Sequence, residues 1–192
     1  MTGGRLKMFS LLGIVLLAAL VFTAWSQNWF TLTVQQKPFA VAGSVAGSAL
    51  APIALASLAL LAALAIAGPF FRVVLGVLLA LLGVCVVVVS AFAIANPVVA
   101  ATAAITKTTG VAGAISVQKL VTATSMTAWP IVAIVLGVLL ALLGLAIAPT
   151  ARSWPESGRK YTRSRLVTAD ADEPDPVQEW DALSQGDDPT RR

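Results

Sequence analysis

The chain has 192 residues, 58% of them hydrophobic and only 11% charged, with a mean hydropathy of +0.88. Those values lie outside the range of soluble domains, so the net charge of +4 reads as membrane topology rather than as a nucleic-acid surface. There is no histidine, one cysteine, and no acidic residue before Glu156, which leaves zinc, haem and iron–sulfur sites without ligands and the apolar region without a catalytic acid or base.

Four apolar runs, residues 8–24, 49–67, 73–95 and 131–148, carry no carboxylate. At 1.5 Å per residue each can cross a hydrocarbon core of roughly 30 Å. A backbone in lipid must satisfy its own hydrogen bonds, and no period-2 alternation argues for a barrel. The expected fold is an all-α membrane protein with a four-helix transmembrane domain over 1–148 and a tail over 149–192.

Arg5 and Lys7 before the first run resemble the n-region of a signal peptide. No small-x-small cleavage site follows Phe22-Thr23-Ala24, so the run reads as a retained helix. Trp25 and Trp29 then fall at the outer boundary, where an aromatic belt anchors to headgroups. Residues 25–48 begin polar and end in a small-residue stretch with Gly43 and Gly47 four apart. The second helix starts at 49, or as early as Val41 with that glycine step facing a neighbour. Gly68 is expected to stop it in the left-handed conformation, with Pro69 preventing continuation and Arg72 snorkelling towards phosphates.

In the third helix Cys85 reads as a small packing residue. Asn96-Pro97 closes that helix, and residues 98–128 read as an extracytoplasmic loop with a short interfacial helix at 111–121. Trp129-Pro130 opens the fourth helix, with Trp129 a third belt residue. The string Val74-Leu-Gly-Val-Leu-Leu-Ala-Leu-Leu-Gly83 recurs letter for letter at 135–144. Gly76, Ala80 and Gly83 share one helix face, as do Gly137, Ala141 and Gly144. The two helices run antiparallel, so Gly76 is expected to meet Gly144, Ala80 to meet Ala141, and Gly83 to meet Gly137.

The tail divides by charge: residues 149–168 carry five basic side chains and one acidic, residues 169–192 two basic and eight acidic. The proximal half is expected to lie on anionic lipid at about 1 kcal/mol per basic residue, with Trp154 and Tyr161 near the headgroups. The distal half is too polar to build a core and reads as largely disordered by itself. Within it Val177, Trp180 and Leu183 share one face of an induced turn, a candidate docking element. Lys and Arg near helix ends number eight on the side of both termini and three (Lys37, Lys107, Lys119) on the other, which predicts both termini in the cytoplasm of a multi-pass cell-membrane protein.

The in-helix polar groups, Ser10, Thr23, Ser57, Cys85 and Ser90, can bond back to helix carbonyls, and none is ionised in the manner of an ion-coupled carrier. No enzyme activity and no cofactor are expected.

Trp29, Trp129-Pro130, Trp154-Pro155-x-x-Gly158-x-x-Tyr161 and the terminal string Trp180-Asp181-Ala182-Leu183-Ser184-x-Gly186-x-Asp188-Pro189-Thr190 together resemble the actinobacterial tryptophan-associated transmembrane protein family. The resemblance covers essentially the whole chain, and the terminal string is its most specific part. The family's usual acidic residue stands here as Ser184. The resemblance implies an association with tryptophan biosynthesis rather than an activity, and it marks Trp180, Asp181, Leu183, Gly186, Asp188 and Pro189 as a candidate partner-docking element. Two readings follow: a non-enzymatic scaffold whose tail binds a soluble cytoplasmic protein, and a subunit of a transporter for tryptophan or another aromatic metabolite. The partners expected are the lipid bilayer and that soluble protein, with no nucleic acid; a homo-oligomer is left open.

Overall fold

The computed structural model describes residues 3–34, 36–111 and 113–150. Four long helices, α1 (Gly3–Ser26), α3 (Leu50–Ile66), α4 (Pro69–Ala95) and α7 (Trp129–Thr150), alternate with a cap. The cap comprises β1 (Asn28–Val34), β2 (Lys37–Ala42), the one-turn α2 (Gly43–Ala46), α5 (Pro97–Thr109), α6 (Ala114–Leu120) and β3 (Val121–Met126). Three of the long helices, α1, α4 and α7, are long and apolar enough to cross a membrane; α3, at 17 residues, is shorter.

The long helices form a closed ring of neighbours, α1–α3–α4–α7 and back to α1. Lys7 Nζ donates to the Ala65 carbonyl at 2.9 Å. That bond sets the start of α1 beside the end of α3 and satisfies a carbonyl in α3's last turn. The four helices therefore alternate in direction. One end of the ring holds the chain's N-terminal residues and the α3–α4 hairpin, and the other holds the cap.

Proline sets the helix starts. Pro69 and Pro97 stand at the first turn of α4 and α5, where the missing N–H costs nothing, and α4 ends just before Asn96-Pro97. Gly68 is not the left-handed stop expected of it. Its φ of −72° and ψ of 171° are extended, and it serves as the N-cap of α4. The helix consequently begins four residues earlier than its apolar run. Gly110 does take the left-handed conformation, at φ 74°, and closes α5.

The all-helical expectation needs correction, because the cap contains a three-stranded antiparallel sheet of order β2-β1-β3. Leu32 pairs with Phe39 on one side and with Thr124 on the other. Phe30, Leu32 and Val34 are buried while Thr31 and Thr33 are half-buried, the period of a strand with one face on a core. In the β1–β2 hairpin Gln36 takes φ 65°, as a tight turn requires. Residues 98–128 are likewise more than a loop with one short helix. α6 falls inside the interval expected for that helix, and it is flanked by a longer helix, α5, and by a strand, β3. Nor does α3 reach back to Val41, since β2 occupies that position.

Candidate functional site

The buried residues of α4 include Arg72, Gly76, Leu79, Gly83, Val86, Ser90 and Ala93, and those of α7 include Pro130, Ala133, Gly137, Leu140, Gly144 and Ile147. Steps of four and three alternate along both series, with Ala80 and Leu136 buried beside them. That 3.5-residue period keeps one seam facing its partner along an entire helix pair. Because small residues occupy the seam, the backbones approach to contact. A Cβ on Gly83 would lie against the Ala141 amide nitrogen and 2.6 Å from the Gly137 carbonyl oxygen. One on Gly144 would lie 2.5 Å from the Ala80 nitrogen and 2.6 Å from the Gly76 oxygen.

The letter-for-letter repeat explains this symmetry. The last glycine of each copy nests against the alanine and first glycine of the other, so one sequence serves both sides of a local two-fold, as in an isologous dimer interface. Gly76 meets Gly144 and Gly137 meets Gly83, each with a Cβ-to-carbonyl distance of 2.9 Å. In lipid, where apolar burial drives no association, this van der Waals contact is the main source of helix pairing.

Arg72 does not snorkel. It is 1% exposed, and the register of the seam puts it level with the last turn of α7. Thr23 and Ser57 donate back to the carbonyls of Ala19 and Ile53, each at 2.9 Å. Ser90 departs from that pattern, since its hydroxyl is buried without a partner.

The cap end is organised by Trp29. Its place after α1 suggests a belt residue, yet it is fully buried. The chain turns into β1 just after α1, which folds the indole back over the helix end. Its Nε1 donates to the Ala24 carbonyl at 2.8 Å, one of the orphan acceptors of α1's last turn. Gly43 and Gly47 make room for the ring: a Cβ on Gly43 would lie 2.5 Å from Trp29 Nε1, and one on Gly47 3.1 Å from Trp29 Cη2. This glycine step thus receives the Trp29 ring, and Gly43 also faces the backbone of α1, where a Cβ would lie 2.7 Å from the Trp25 carbonyl oxygen. The Gly43 amide donates to Gln27 O at 2.8 Å, and the Thr127 amide to Trp29 O at 2.9 Å. α1, α2, β1 and the segment entering α7 all meet at this residue. Trp25 and Trp129 are half-buried at the cap ends of α1 and α7. The Trp25 indole N–H is buried without a partner and its ring lies 5.1 Å from that of Phe22.

Among the described residues, two cavities border the cap. The larger, about 260 Å³, lies between the β1–β2 hairpin and the end of α5, lined by Val34, Lys37, Pro38, Phe39, Ile105, Thr108 and Thr109. The smaller, about 130 Å³, lies at the α4–α5 joint beside Gln118. Among the described residues no three metal-ligating side chains come together. The expected docking residues Trp180, Asp181, Leu183, Gly186, Asp188 and Pro189, together with Trp154 and Tyr161, lie outside the described residues.

The buried Trp29 and the sheet above it left one signal in the sequence, the alternation Phe30-Thr-Leu-Thr-Val34. Among known proteins, the family model described as "tryptophan-associated transmembrane protein" matches residues 11–190. No curated protein and no solved structure gives a significant match.

Proposed function

Since the chain belongs to the tryptophan-associated transmembrane protein family, we propose that it is a non-enzymatic membrane scaffold of four spans that holds a soluble partner at its cytoplasmic tail. The observation that carries this reading is the α4–α7 seam. Two helices whose backbones leave no room for a methyl group are suited to a fixed frame, not to a path for solute between them. The absence of any carboxylate before Glu156 supports the same reading, because an amino-acid substrate's ammonium would find no buried counter-charge within the bundle.

In this arrangement α3 is the fourth span. Its 17 residues reach about 25 Å, just short of a typical hydrocarbon core but within the range spanning helices use. The excess of Lys and Arg near the termini supports a cytoplasmic location for both, with the cap outside. The basic proximal tail then rests on anionic lipid, and the acidic segment around Trp180 meets the partner.

Crosslinking of the full-length protein in its own membrane tests this reading. Trp180→Ala is expected to remove at least one crosslinked soluble protein while leaving the abundance of the membrane protein unchanged, since Trp180 lies about thirty residues along the chain beyond the end of α7. An identical crosslinking pattern in the two proteins would contradict it. The runner-up, a transporter subunit for tryptophan or another aromatic metabolite, is favoured by one observation, the apolar-walled cavity in the cap. A change in tryptophan uptake or efflux on deletion would support it.

A further inference from the structure

We propose that the 260 Å³ cap cavity binds a small monocarboxylate with an apolar body, its carboxylate held by Lys37. The cavity is built of two layers. Its floor is apolar: Ile105 is fully buried, Val34 is 8% exposed, and Phe39 is half-buried against the core. Thr108 and Thr109 form the opposite wall, but both hydroxyls donate to their own helix, Thr108 to the Ala104 and Ile105 carbonyls and Thr109 to Ile105. Neither hydroxyl is left free to donate, and among the described residues of the lining the ammonium of Lys37 is the one strong donor.

Charge supports an anionic ligand. Lys37, Lys107 and Lys119 are all exposed on the cap, and no acidic residue lies within the first 155 to offset them. The partial negative charge at the end of α5 works against an anion, and Lys107 in that helix's last turn counters it. Size suits a small ligand. A volume of 260 Å³ equals that of roughly nine liquid waters, enough to hold a ring and a short acid arm. A second positive group on the ligand would meet Lys37 unfavourably, so a simple acid fits better than a zwitterion.

The inference rests on the cap alone and stands or falls independently of the tail's role. It is tested with the full-length protein in nanodiscs of zwitterionic lipid, titrated with 3-phenylpropionate and with its neutral amide. Saturable binding of the acid is expected, with the amide weaker by about tenfold or more, as befits loss of a charge-assisted hydrogen bond. Lys37→Gln is expected to bring the acid down to the level of the amide. Lys119→Gln, a cap lysine off the cavity lining, is expected to leave binding unchanged. Equal affinity for acid and amide, no effect of Lys37→Gln, or an equal loss in Lys119→Gln would overturn the proposal, as would absence of saturable binding. Decanoate is the arm for a lipid-derived acid; tighter binding of decanoate would overturn the assignment to a small ligand.

Discussion

Gly83→Ala is expected to lower the stability of the bundle by about 1–3 kcal/mol, and Gly83→Leu to prevent the α4–α7 pair from forming. The sign is the informative part. In a helix interior alanine is normally better than glycine by about 1 kcal/mol, so any net loss must come from the seam. The new methyl would meet backbone, the Ala141 amide and the Gly137 carbonyl, and backbone cannot rotate aside. Gly144→Ala repeats the clash against Ala80 and Gly76 and is expected to cost a similar amount. Ala80→Leu is expected to weaken the same contact. Gly13→Ala in α1 is the control, because its Cβ would meet only the end of the Leu143 side chain, at 3.2 Å. It is expected to be neutral or stabilising. Unfolding of the purified protein in detergent gives all of these values, and equal effects of Gly13→Ala and Gly83→Ala would contradict the assignment.

Trp29→Ala is expected to be the most damaging single change in the cap, at about 3–5 kcal/mol, the range for removing a buried indole. Its effect should be local. The ring joins α1 to α2 and β1, so hydrogen exchange should accelerate across residues 28–42 while α4 and α7 keep their protection. Trp29→Phe retains much of the volume but leaves the Ala24 carbonyl with only the longer bond from the Gln27 amide, at 3.3 Å, and is expected to cost about 1 kcal/mol. Gly43→Ala approaches the same junction from the other side, pressing a methyl on the indole nitrogen and on the Trp25 carbonyl at 2.7 Å. Unchanged exchange of the hairpin in Trp29→Ala would show that the indole does not hold the cap.

These two sites differ in how much of them the sequence discloses. The seam is legible because a ten-residue string occurs twice and places glycine and alanine on one face of each helix. Antiparallel pairing then follows from their alternating direction. Trp29 is not legible, since a tryptophan after an apolar helix reads the same whether it faces lipid or folds back over the helix end. Its burial depends on β1, whose alternation from Phe30 to Val34 is present but short. The strand's second partner, β3, lies about ninety residues away in a Thr- and Ala-rich stretch with no pattern of its own. Nothing local specifies that pairing. α5 is hidden for a related reason: 97–109 is too weakly apolar to register as a span, and its helix rests on alanine propensity and on Pro97 at the first turn. Gly68 shows the remaining ambiguity, because Gly-Pro marks a helix boundary without saying which side the glycine serves.

The claim on which the scaffold reading depends is that four spans place both chain ends on the cytoplasmic face and the cap outside. Single cysteines in a Cys85→Ser background test it, labelled with a membrane-impermeant maleimide on intact cells and again after permeabilisation. Lys119→Cys is expected to label in intact cells, and Gly4→Cys and Ser157→Cys only once the membrane is opened. Labelling of Gly4→Cys and Ser157→Cys from opposite faces would mean an odd number of spans. Labelling of Lys119→Cys only after permeabilisation would place the cap inside, and either result would contradict the account.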